Sequence, residues 1–155
     1  MPTHVKRNLA DESATLAFAA RLAPLVAGGA VIYLTGDLGA GKTTFCRGLI
    51  RALGHKGAVK SPTFTLVEPY QLDGTQIFHF DLYRLNDPGE LEYIGVDDYF
   101  DPRRLCLVEW PERGDGLLPE CDIEVSLVPA GRGRTVTVTA QSDRGERIVQ
   151  ELEVG

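Results

Sequence analysis

With 155 residues, 43% of them apolar and 25% charged, the chain is long enough for one domain whose core needs neither disulfides nor a structural metal. Its net charge of −6 argues against gripping nucleic acid by bulk electrostatics, because such binding depends on neutralising phosphates. No apolar run approaches a membrane span, no apolar signal segment follows Met1 to Arg7, and the 3 cysteines (Cys46, Cys106, Cys121) show no C-x-x-C spacing. A reduced cytoplasm is therefore expected, without a disulfide framework or a cysteine metal site, and His4, His55 and His79 are too scattered to suggest zinc.

Asp11 or Ser13 is placed to cap a helix starting near Glu12, with Leu16, Ala19, Ala20 and Ala23 as its apolar stripe. Pro24 should bend or end that helix, and Gly28-Gly29 closes the segment. Val31 to Thr35 has the continuous apolar character of a buried strand. A glycine-rich loop follows, then a helix from Lys42 to about Leu53, stopped by Gly54. Ser61 to Phe64 reads as loop, Thr65 to Tyr70 as a strand, Leu72 to Thr75 as a turn, and Gln76 to Leu82 as another strand. A short helical stretch runs from Asp87 toward Tyr93, and Leu105 to Val108 is a second buried strand. The alternations Ile123, Val125, Leu127 and Val136, Val138 flank Pro129 to Gly133 and predict a late hairpin. Glu146 to Val154 reads as a final helix. Residues 1–155 are thus expected to form a single α/β domain, a P-loop NTPase-like mixed sheet flanked by helices, with a late antiparallel β-hairpin.

The strongest signal is Gly36-Asp37-Leu38-Gly39-Ala40-Gly41-Lys42-Thr43, which fits G-x-x-x-x-G-K-[ST]. Its glycines let the backbone turn tightly enough for successive N–H groups to face one phosphate. The helix opening at Lys42 aims its positive dipole end at the same anion. The Lys42 ammonium can reach the β- and γ-phosphates, and the Thr43 hydroxyl can ligate magnesium. Such a loop needs a carboxylate at the end of an apolar strand to hold the magnesium. Glu109 after Leu105 to Val108 and Asp81 after Ile77 to Phe80 both qualify, and spacing does not say which touches metal and which orients water. Thr63, in a proline-containing loop between the helix that opens at Lys42 and the strand that leads to Asp81, is either a hydroxyl sensing the γ-phosphate or a plain turn residue. Arg84 is read first as a surface arginine and second as a group stabilising transferring charge, and Trp110, abutting Glu109, first as a packing residue and second as a sensor of the occupied site. No N-K-x-D run, the usual guanine selector, occurs, which favours ATP.

Four blocks in order carry a family resemblance: Gly36 to Phe45 (GDLGAGKTTF), Ser61 to Glu68 (SPTFTLVE), His79 to Leu85 (HFDLYRL) and Leu107 to Pro111 (LVEWP). Together they resemble the bacterial TsaE (YjeE) family from about Asp11 to about Ala140. The resemblance implies a small magnesium-dependent ATPase, weak alone, in the machinery that makes threonylcarbamoyladenosine beside the anticodon of tRNAs reading codons that begin with A. It implies TsaD and TsaB as partners, a threonylcarbamoyl-adenylate synthase upstream, and contact with tRNA only through the complex. By that resemblance Lys42 is the phosphate lysine, Thr43 and Glu109 are magnesium ligands, Asp81 is the other essential acid and Thr63 a switch-like threonine. The loop from Gly36 through Asp37, Leu38, Gly39, Ala40, Gly41, Lys42 and Thr43 to Thr44 takes the nucleotide, which Thr15 and Arg134 approach. Two other readings of a P-loop chain are a small-molecule kinase, for which no arginine-rich lid is visible, and a nucleotide-dependent binding module with negligible hydrolysis.

Overall fold

The computed structural model describes residues 3–114 and 116–154. Among them, seven strands form one sheet: β1 (His4–Leu9), β2 (Ala30–Thr35), β3 (Val67–Leu72), β4 (Thr75–Asp81), β5 (Leu105–Glu109), β6 (Ile123–Ala130) and β7 (Gly133–Ala140), in the order β1-β7-β6-β2-β5-β4-β3. The four central strands, β6, β2, β5 and β4, run parallel to one another. The flanks are antiparallel: β7 on β6, β1 on β7, and β3 on β4. This is the mixed sheet with a late hairpin that the sequence leads one to expect.

Three α-helices lie between strands, α1 (Glu12–Val26), α2 (Lys42–Ala52) and α3 (Gly89–Tyr93), and a fourth, α4 (Asp143–Val154), follows β7. Side chains alternate across each strand, so β5 feeds two cores at once. Leu105 and Leu107 join the larger core with α1, α2 and α4, through Leu22, Phe45, Leu49 and Val149. Cys106 and Val108 join a smaller core on the opposite face with Phe78, Phe80 and Leu91. That double burial is why β5 reads as an unbroken apolar run. β6 and β7 show the contrasting pattern: Val125, Leu127, Val136 and Val138 are buried, whereas the residues between them are partly exposed.

Beyond shifts of one or two residues, four elements differ from expectation. Strand β1 was not anticipated, because its Lys6 and Arg7 break the apolar alternation, as charged side chains on edge strands commonly do. Helix α1, capped by the Asp11 carboxylate accepting the Ala14 N–H at 2.9 Å, passes through Pro24 and ends at Val26. Buried Ala23 and Val26 hold that last turn against the core, and tertiary packing overrides the local signal. Strand β3 starts at Val67 because Pro62 to Leu66 forms a turn, closed by the Leu66 N–H donating to the Pro62 carbonyl at 2.8 Å. Helix α4 starts three residues before Glu146, because the Ser142 hydroxyl accepts the Gly145 N–H at 3.0 Å and acts as its cap.

The parallel strands β2, β5 and β4 end side by side, at Thr35, Glu109 and Asp81, and the register pairs Asp81 with Glu109. The carboxyl ends of parallel strands are where an open α/β sheet places its ligands.

Candidate functional site

The glycine loop leaves β2 at Gly36 and enters α2 at Lys42. Gly36 has φ 143°, and a Cβ there would lie 2.4 Å from the Leu127 carbonyl oxygen, so the loop can cross β6 this closely only with glycine. Gly41, at φ 105°, caps α2 and turns the chain into the helix without a side chain in the way. Arg134, at the start of β7, braces the loop from outside. Its Nε donates to the Ala40 carbonyl at 2.6 Å and its Nη2 to the Gly39 carbonyl at 3.2 Å.

Lys42 is buried, and its Nζ donates to the Gly36 carbonyl at 2.6 Å while lying 3.5 Å from the centre of the Trp110 ring. Burial holds the Lys42 ammonium below its usual pKa, against Glu109, Glu112, Asp81 and Asp37, which raise it. Trp110 adopts φ 57°, a left-handed conformation uncommon for a bulky residue.

Two hydrogen-bonded pairs of acid and hydroxyl stand beside the lysine. The Thr43 hydroxyl donates to Glu109, 3.0 Å from Oε1 and 3.3 Å from Oε2. The Thr63 hydroxyl donates to Asp81 Oδ2 at 3.1 Å, and the Tyr83 N–H donates to Asp81 Oδ1 at 3.0 Å. Both carboxylates are buried at strand ends. Leu38, Gly39, Gly41, Lys42, Thr43, Thr44, Thr63, Asp81, Glu109 and Arg134 line one cavity of about 550 Å³, with Tyr83, Arg84 and Trp110 completing it. Gly36, Asp37 and Ala40 belong to the same loop but are not among the residues lining this cavity. Thr15 faces an adjoining cavity of about 220 Å³, which shares Gly41, Thr44 and Arg134 with the first. The residues singled out in the sequence therefore converge, with Thr15 one cavity removed.

The donor set fits a magnesium ion. Two neighbouring oxygens of an octahedral magnesium, each about 2.1 Å from it, lie about 3 Å apart. The separation between the Thr43 hydroxyl and Glu109 Oε1 is 3.0 Å, so these atoms already stand at ligand spacing.

The sequence reading missed His79. Its side chain is fully buried on β4, and Nε2 lies 2.6 Å from Glu109 Oε2. The available signal was its position two residues before Asp81, which puts both on one face of the strand. Cys46 joins the same buried group: ligand atoms of Cys46, His79 and Glu109 all lie within 4.8 Å of one another. Burial first, then Glu109 and Asp81, push the Cys46 thiol well above its usual pKa, so it packs as an uncharged group. Arg84 is exposed, with its guanidinium 4.6 Å from the centre of the Phe64 ring.

A parallel strand, a glycine loop threaded under a helix and acids at the neighbouring strand ends define the P-loop class. Within that class the chain belongs to the family of the threonylcarbamoyl adenosine biosynthesis protein TsaE, whose sequence profile matches residues 9–136. The tRNA threonylcarbamoyladenosine biosynthesis protein TsaE of Haemophilus influenzae is 52% identical over 119 residues, covering 77% of this chain and 75% of that protein. The protein of the same name from Bacillus subtilis is 40% identical over 139 residues, covering 89% and 87%. The crystal structure of Bacillus subtilis YdiB superposes with a TM-score of 0.86 at 33% identity, covering 99% of this chain and 97% of that one. No helix among the described residues is long and apolar enough to cross a membrane.

Proposed function

We propose that this chain is a magnesium-dependent, ATP-hydrolysing subunit of the cytoplasmic machinery for tRNA threonylcarbamoyladenosine biosynthesis, working with TsaD and TsaB and meeting tRNA only through them. The relatives' names support the pathway. The observation that carries the chemistry is the convergence of Lys42, Thr43 with Glu109, and Thr63 with Asp81 on one cavity beneath the glycine loop.

On this reading the loop amides and the Lys42 ammonium bind the phosphate tail, giving up the Gly36 carbonyl and the Trp110 face. Thr43 and Glu109 hold the magnesium, which when bound neutralises charge on the β- and γ-phosphates. Asp81, its carboxylate oriented by Thr63 and the Tyr83 amide, accepts a hydrogen bond from the attacking water and orients it. Thr63 links the presence of the γ-phosphate to the Ser61 to Leu66 turn, which carries the exposed Phe64 outward. Arg134 keeps the loop carbonyls turned away so that the amides point inward.

The deciding experiment is ATP turnover with and without the TsaD–TsaB pair and tRNA. We expect slow magnesium-dependent release of phosphate from the chain alone and a clear rise when the partners are added. Lys42→Ala should remove the activity, and Glu109→Ala should reduce magnesium-dependent turnover more than nucleotide binding. Turnover indifferent to TsaD–TsaB would overturn the partner assignment. Intact magnesium-dependent hydrolysis in Glu109→Ala would overturn the ligand assignment.

A further inference from the structure

His79 is the one fully buried charged-type side chain next to Glu109 that the proposed chemistry leaves without a task. The β4–β5 register sets His79 opposite Leu107 and Asp81 opposite Glu109, so the imidazole lies one residue pair below the acids on the same face. Its Nε2 meets Glu109 Oε2 at 2.6 Å. Its Nδ1 has no hydrogen-bond partner among the described residues. The ring's polar engagement there is thus with Glu109, and with none of the backbone around it. Glu109 in turn is held from two sides: Thr43 approaches Oε1 most closely, and His79 takes Oε2. A carboxylate held at Oε2 has less freedom to turn Oε1 away from Thr43.

We propose that His79 is a positioning residue, whose imidazole locks the Glu109 carboxylate in the rotation that faces the Thr43 hydroxyl and so sets how tightly the site holds a divalent cation. The inference rests on the magnesium-dependent nucleotide site proposed above. Partners of this kind around metal ligands change metal affinity about 10- to 100-fold when removed.

The test compares two amides of equal polarity and different reach. In His79→Gln the amide nitrogen falls near the position of Nε2, whereas in His79→Asn it falls near Nδ1 and cannot reach Glu109. Binding of a fluorescent ATP analogue is titrated with Mg²⁺ on the whole chain, and the Mg²⁺ concentration giving half of the gain in affinity is read. His79→Asn should raise that concentration about 10- to 100-fold, and His79→Gln should stay within about threefold of the parent. Both should keep the parent's metal-free nucleotide affinity. In a Glu109→Ala chain, adding His79→Asn should change nothing further. Should the Asn chain fail to fold, His79→Leu fills the same space without a donor and carries the same expected loss. Equal shifts in Gln and Asn, no shift in either, or an additional loss in the Glu109→Ala background would overturn the role of His79 while leaving the nucleotide site standing. A parent chain whose nucleotide binding ignores Mg²⁺ would overturn the site itself, and the role of His79 with it.

Discussion

Replacing Arg134 tests whether the loop is held in shape by a fork of hydrogen bonds or merely by nearby positive charge. The guanidinium gives one hydrogen bond to the Ala40 carbonyl and one to the Gly39 carbonyl, at 2.6 and 3.2 Å. A hydrogen bond from a charged donor contributes about 1.5–3 kcal/mol when well shielded. Arg134 is half-buried, and the Nη2 bond is on its exposed side, so the pair together is worth about 1.5–3 kcal/mol. Without them the loop carbonyls rotate freely in the empty protein, and the phosphate must reorder the loop on binding. The loss therefore appears in affinity, as roughly a 10- to 150-fold rise in the nucleotide Kd at about 1.4 kcal/mol per factor of ten. Global stability falls less, because Arg134 contacts only loop carbonyls and Ala40 keeps its buried methyl in the core. The assay is calorimetric titration of Arg134→Ala and Arg134→Lys with ATP and Mg²⁺, beside thermal unfolding of each. An ammonium cannot make the two-pronged contact, so Lys should recover only a small part of the loss. Full recovery by Arg134→Lys would refute the bracing argument and leave charge alone as the cause.

Three further outcomes are expected. Gly36→Ala must place a Cβ 2.4 Å from the Leu127 carbonyl at φ 143°, a strain of about 2–3 kcal/mol that denaturant unfolding should show, with Tm lower by about 5–10 °C for a domain of this size. Because burial lowers the Lys42 pKa before nucleotide binds and a triphosphate restores the charge, ATP binding should take up protons as pH rises toward the usual lysine value of 10.5 and should weaken there. By the same sign, the folded state binds fewer protons than the unfolded chain in that window, so stability should gain with pH relative to Lys42→Arg, whose proton uptake in paired calorimetric buffers should vanish. Nucleotide binding should change the emission of Trp110, the chain's 1 tryptophan, by drawing Lys42 off its ring; an unaltered spectrum at saturating ATP, or an equal change in Lys42→Met, would contradict that.

The parts of the fold that were legible are those where one physical demand dominates. β5 is buried on both faces and β2 is buried on one and partly covered on the other, so their apolar runs stand out, and the loop between β2 and α2 is legible because its backbone demands glycine at Gly36 and Gly41. What stayed hidden depends on partners far away in the chain. β1 exists because β7 offers it an edge from His4 to Leu9, a pairing over a separation that local pattern cannot convey. Glu109 and Asp81 were both recognisable as strand-end acids, but their adjacency follows from the β4–β5 register. His79 was hidden for the same reason: its meaning comes from Glu109 on the next strand.

The way these charges are satisfied bears on how readily the site accepts a ligand. Two buried carboxylates one strand apart would be costly without donors. Each has them: Thr43 and His79 for Glu109, Thr63 and the Tyr83 amide for Asp81. Lys42 is in none of the ion pairs seen among the described residues and rests on a carbonyl and an aromatic face instead. Had Lys42 been locked to Glu109, withdrawing it to a phosphate would break a buried ion pair and strand a carboxylate, at about 3–5 kcal/mol. Leaving a carbonyl and a ring face costs about 1–3 kcal/mol, and neither acid loses an ion-pair partner when Lys42 moves. The pocket thus keeps its anionic and cationic halves apart, so that Lys42 can turn to a phosphate without breaking an ion pair.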